Sequence, residues 1–254
     1  MSRVWSQIAV LAGKDLAIEA RTRQTLGLVV VLGILIIVVL GLGLGPQQMA
    51  PAPAPGMGGA AAAGATPGAA PGAAPGAAPG AAPGVAALWV AYLFAGVLCF
   101  EGSMAVERHD GALAGLLLAP VDRGVLYLAK LVTNLVLMLV LALVLTPVAV
   151  LLFGFDLSPA PGSFAAIMAI SFVGLAAVGT LFAAVVSSSR LQGGLLAMAI
   201  FPVSLPLVMT STQMLIRLFG QKSASGLSGL GILLAFDVIY LVAGWLAFEL
   251  VLEP

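Results

Sequence analysis

The 254 residues include one histidine and one cysteine, so any chemistry must be assembled from few reactive groups. His109 stands in "ERHDG" beside Asp110, with Glu107 and Arg108 before it. An imidazole next to a carboxylate can carry a proton or ligate a metal or a haem iron, but zinc needs several such ligands together. His109 and Cys99 alone do not supply them. A single cysteine also excludes an internal disulfide, a CxxC redox pair and a CxxCH haem attachment. Cys99 reads instead as a residue packed inside a helix, and His109 as a surface or interface residue. Ser187, Ser188 and Ser189 adjoin Arg190 with no base to activate a hydroxyl, and read as a polar turn. Cradling ATP phosphates takes a GxxxxGK[ST] loop, which is absent; "GLGLGP" at 41–46 lacks the lysine and ends an apolar run. Met104, Met138, Met168, Met198, Met209 and Met214 are scattered gap-fillers from which no haem-binding set can be chosen. No catalytic residue is assigned, no metal site is expected, and a cofactor-binding set stays open.

What remains is a concentration of charge. Ten basic and ten acidic residues serve the whole chain. Six of them, with the histidine, fall in "FEGSMAVERHDGALAGLLLAPVDRG", residues 100–124. Asp110 can cap a short helix that Pro120 stops, with Leu113, Leu116 and Leu117 on one face. Gly111 and Gly115 weaken that helix in isolation, so packing must hold it. Framed by Glu107, Arg108, His109, Asp110, Asp122 and Arg123, such a helix suits a groove on a partner. The plainer reading is a solvated loop lying against its own bundle.

The elements that position this stretch are apolar. Sixty-one per cent of the residues are hydrophobic and 8% charged. Mean hydropathy is +1.18. Soluble domains carry about 25% charged residues, and a bilayer is crossed by about 20 apolar ones. The chain is therefore read as an all-α polytopic membrane protein in a lipid bilayer. Residues 1–24 form an amphipathic segment, with Trp5 as an interfacial anchor if it lies along the membrane, or a simple lead-in. A membrane domain follows over 25–254, with spans near 25–45, 85–106, 125–153, 164–187, 193–216 and 230–251. Pro202 and Pro206 are expected to kink or break the fifth. About 24 amphipathic, charged residues precede the first apolar run, which lacks a small-residue cleavage site after a short n-region, so a cleaved signal is not expected.

With the N-terminus inside, Arg3, Lys14, Arg21, Arg23, Arg108, Arg123, Lys130 and Arg190 lie on or near the cytoplasmic side. Eight of ten basic residues then obey the positive-inside rule, which places both termini in the cytoplasm. These charges follow topology rather than gathering into a basic face, and no nucleic-acid partner is expected. The external loop 46–84 carries "PGAAPGAAPGAAPGAAPG", a four-residue repeat that is not collagen-like and predicts a disordered tether.

Two carboxylates fall within spans. Charging one at the bilayer centre costs about 2.5–3.5 kcal/mol. Asp237 lies roughly 10 Å into the last span at helical rise. It must face protein or water, pair with a cation such as Arg217 or Lys222, or be protonated. Glu101, near the cytoplasmic end of the second span, can reach the interface or the N-terminal helix. Structural pairing is the favoured reading for both, with direct substrate contact as the alternative.

"ERHDGALAGLLLAPVDRGVLYLAK", residues 107–130, resembles the first cytoplasmic loop of the haem exporter protein B (CcmB) family. The likeness continues through "GTLFAAVVSSSRLQGGLLAMAIFPVSLPLVM", residues 179–209, where a span, a short serine-and-basic loop and a proline-containing span follow in the family's order. It covers most of the chain outside 46–84. The resemblance implies a six-helix ABC-2-like permease, not itself an enzyme, in the bacterial inner membrane. It implies a homodimer that binds two copies of an ATPase subunit carrying the ATP. Further implied partners are a haem-handling membrane protein, a small single-span subunit and a periplasmic haem chaperone, with haem possible at the complex. The stretch 107–123 would be the ATPase-coupling loop. An ABC-2 exporter of another lipid or small molecule keeps the same architecture; an intramembrane enzyme and a passive scaffold are more distant alternatives.

Overall fold

The computed structural model describes residues 2–22, 24–48, 81–109, 123–155, 157, 160–188, 195–220 and 229–251. Among them the regular structure is entirely helical: α1 (Ser2–Thr22), α2 (Gln24–Gln48), α3 (Ala81–His109), α4 (Arg123–Phe153), α5 (Pro161–Ser188), α6 (Leu195–Gly220) and α7 (Leu230–Val251). All but α1 are long and apolar enough to cross a membrane, over Leu26–Gly43, Ala81–Ser103, Gly124–Phe153, Pro161–Val186, Leu196–Phe219 and Leu230–Phe248. These are the six spans expected.

The boundaries differ where composition misleads. The repeat was expected to stay outside the bundle up to residue 84, but α3 already begins at Ala81. Pro83 falls in the first helical turn, where its missing N–H has no bond to make. Ala81 and Val85 are fully buried, so the small residues of the repeat's tail pack as helix. α2 likewise runs to Gln48 through Pro46. The remainder of the loop, 49–80, lies outside the described residues.

α3 and α5 form the centre. α3 packs on α2, α4, α5 and α6, while α5 packs on α3, α4, α6 and α7. Trp89 and Tyr92 of α3 meet Phe172 of α5 in edge-on contacts, with centroids 5.1–6.3 Å apart. The Tyr92 hydroxyl is 2.7 Å from Thr146 Oγ1 on α4. α2 and α7 are the least buried spans. α4 ends at Gly154, whose φ of 65° is the left-handed stop that glycine adopts without a side-chain clash. Its N–H donates to the Val150 carbonyl at 2.9 Å.

α6 remains one continuous helix through Pro202 and Pro206. Proline removes a backbone donor, and nearby hydroxyls supply others in this stretch. Ser204 Oγ donates to the Phe201 carbonyl at 3.0 Å and Thr210 Oγ1 to that of Pro206 at 2.7 Å. From α7, Tyr240 donates to the Val203 carbonyl at 2.8 Å. The helix is therefore cross-braced where it was expected to be weakest.

Candidate functional site

Glu107, Arg108 and His109 form the last turn of α3, and Arg123 opens α4. The side chains of these four lie outside the described residues, as do Asp110, Leu113, Leu116, Leu117 and Asp122 altogether. α3 thus extends beyond the expected span end near 106. What the described residues do show is how the two helices flanking this stretch are held.

α1 supplies the third wall. Ile8, Leu11, Ala12 and Asp15 recur at helical spacing and share one face. Ile8 is buried against Val125 and Ala129 of α4, with Leu11, Leu128 and Val132 packed around them. Trp5 and Val10 stay exposed. One turn beyond Leu11, the Asp15 carboxylate lies 2.8 Å from the Lys130 ammonium. The Lys130 side chain is only 3% exposed and that of Asp15 12%. Lys130 Nζ also donates to the Ser103 carbonyl of α3 at 3.3 Å. One ammonium therefore joins α1, α3 and α4.

Glu19 stands a further turn along α1. Burial holds its carboxyl above the ordinary range, while the Lys130 ammonium pulls it the other way. Lys14 is 3.6 Å from Asp15 but nearly half exposed, so that contact is screened and weak. The polar line continues one turn up α4. Thr133 Oγ1 donates to the Ala129 carbonyl at 3.0 Å, and Asn134 Nδ2 to Thr180 Oγ1 of α5 at 2.8 Å. Asn134 Oδ1 and Ser103 Oγ have no hydrogen-bond partner among the described residues. Buried polar groups of this kind are costly unless matched, and so they fix how neighbouring helices register.

Glu101 is half-buried on α3 and takes part in no ion pair among the described residues. The tie to the N-terminal helix is made by Lys130 instead. Asp237 faces protein. It is 4% exposed, on α7, against Gly174 of α5 and Leu207 of α6. A Cβ at Gly174 would strike both Asp237 Oδ1 and the Leu207 methyl, so glycine makes the room. Asp237 Oδ1 has no hydrogen-bond partner among the described residues. No ion pair reaches it from Arg217, which is exposed, and Lys222 lies outside the described residues.

The residues missed in the sequence were Asp15, as the partner of Lys130, and Asn134. The signal was present: a lysine inside an apolar run, and an apolar helical face that ends in an aspartate. Among the described residues no group of three or more His, Cys, Asp or Glu could hold a metal ion. Cys99 is buried within α3. An apolar cavity of about 340 Å³ between α4 and α5, lined by Thr146, Pro147, Met168 and Phe172 among others, presents one hydroxyl and no charge.

The family model for CcmB protein matches residues 70–253. This chain belongs to the CcmB family. The match takes in α3 to α7, the whole charged stretch, Lys130 and Asp237. α1, with Asp15 and Glu19, and α2 lie outside it. No curated protein matches the chain. CcmB membership and six spans make it a multi-pass membrane permease of the haem-transport and cytochrome c biogenesis class.

Proposed function

We propose that this CcmB-family chain is the non-catalytic permease subunit of an ATP-driven complex in the bacterial inner membrane. A separate ATPase subunit docks on residues 107–123, two copies of each assemble, and hydrolysis drives release of a haem-loaded periplasmic chaperone. The observation that carries this reading is the family match over 70–253, which contains the charged stretch. The distribution of basic residues supports a cytoplasmic position for that stretch, since eight of ten lie on its side. Haem is cargo of the assembly, which includes a haem-handling membrane protein and a small single-span subunit.

The test is affinity purification from native membranes, followed by mass spectrometry and an absorbance spectrum. Co-isolation of an ATPase with haem-maturation subunits and a haem band is the expected result. An ATPase with neither would keep the permease and reassign its cargo to another lipid or small molecule. No ATPase at all would reject coupling through residues 107–123.

A further inference from the structure

The polar junction is placed to do more than hold the bundle together. Lys130 is seven residues, about 10 Å along α4, from the end of the proposed ATPase-docking stretch. Ser103 is four residues from its other end. Both limbs of the stretch thus meet at one ammonium, which among the described residues is also paired with Asp15 of α1. A lysine facing the interface alone would extend its charge to water. Here the side chain is 3% exposed and turned inward onto Asp15. Below the ion pair, Ile8 and Leu11 seat α1 on Val125, Leu128 and Ala129 of α4, so charge and apolar packing fix the same register.

We propose that the Asp15–Lys130 ion pair is a positioning latch: it makes α1 and the adjoining ends of α3 and α4 one rigid body, through which movement of the 107–123 stretch reaches the membrane spans. α1 is then a working part of the coupling machinery rather than a membrane anchor. The inference rests on the proposed docking of an ATPase at 107–123.

The test uses the whole purified complex in lipid nanodiscs, reading ATPase retention, ATP hydrolysis and haem-chaperone released per ATP. The native complex comes first. If it shows no ATP-dependent release, the functional reading fails and the latch with it. If it does, Lys130→Met should retain the ATPase but lower release per ATP at least tenfold. Lys130→Arg should recover most of it, and the exchanged pair Asp15→Lys with Lys130→Asp a substantial part. A merely structural lysine would leave release per ATP unchanged in whatever complex assembles. Equal coupling in Lys130→Met and native complexes would overturn the latch while leaving the function intact.

A second variant does not depend on removing the charge. Cysteines substituted at Ile8 and Val125, which pack together, can be joined by oxidation; native Cys99 is buried. A rigid body predicts that the crosslinked complex turns over like the reduced one. Loss of release on crosslinking, restored by reductant, would show that α1 must move against α4 and would overturn the proposal.

Discussion

Lys130 and Asp237 are both ionisable, both buried, and both carried on membrane-spanning helices, yet the chain accommodates them in opposite ways. Lys130 is met by a carboxylate from another helix at 2.8 Å and by a backbone carbonyl. Asp237 is met by a glycine and a leucine, with Oδ1 unpartnered among the described residues. The difference follows from where each helix leads. α4 starts beside α1, an amphipathic helix able to present an acid on its inner face. α7 packs mainly on α5 and leaves Ile232, Val238, Ile239, Val242 and Leu246 exposed, and among the described residues no ion pair reaches Asp237. One position is specified by charge and the other by shape.

The comparison is broken or upheld first by removing charge at each place. Asp15→Asn strands a buried ammonium and should destabilise the bundle by about 3 kcal/mol, the lower end for breaking a buried pair. Lys130→Met should cost less, because the Asp15 carboxylate it strands is the more exposed partner. Asp237→Asn keeps the shape and should shift stability by under about 1 kcal/mol, since Oδ1 has no hydrogen bond to lose. Reversible unfolding in mixed micelles measures all three. Equal losses for Asp15→Asn and Asp237→Asn would mean that Asp237 has a charged partner in the assembled protein.

Size is the complementary test. Gly174→Ala forces α5 from α7 and should cost about 1–3 kcal/mol by overpacking. The double change with Asp237→Ser, which vacates space, should recover much of that. The same substitution pair would give no recovery if Asp237 mattered through its charge. Between the two extremes is Asn134, whose amide nitrogen is satisfied by Thr180 and whose oxygen is not. Thr180→Val removes the one bond it has, and should cost about 0.6 kcal/mol, the average for interhelical hydrogen bonds in membranes.

Much of this was legible in the sequence and the illegible part has a physical reason. Long apolar runs dictate spans because backbone groups in lipid must bond internally, so six helices could be counted and placed within a few residues. That Asp237 would have to be accommodated was also readable, from the cost of its charge. Which neighbour accommodates it was not: Gly174 and Leu207 are on other helices, and nothing in a single sequence aligns their registers. Lys130 was counted only as a topological marker, because its partner Asp15 lies beyond two intervening spans. Pro202 and Pro206 led to an expected kink or break, but the helix runs on through both, and the Tyr240 hydroxyl that braces it comes from α7. In each case one-dimensional periodicity fixed the element, and a contact between distant elements decided the outcome.

The smallest effect concerns Glu19, which shares the Lys130 neighbourhood but is governed by burial. Its carboxyl sits above its ordinary value in the folded protein, so the folded state holds its proton more tightly than the unfolded chain does. The stabilisation is full below the ordinary glutamate range and is lost as pH rises through the raised value. Hydrogen exchange of the α1 amides, compared at each pH with Glu19→Gln, should therefore show native α1 loosening with rising pH relative to the variant. The change is small because the side chain is only partly buried and the lysine opposes the shift. A reversal of sign would be the more instructive result. If α1 tightened as Glu19 ionised, attraction to Lys130 would outweigh burial, and the ammonium would have two counter-charges one helical turn apart. Asp15→Asn should then lose far less stability than expected, which ties this weakest measurement to the strongest one.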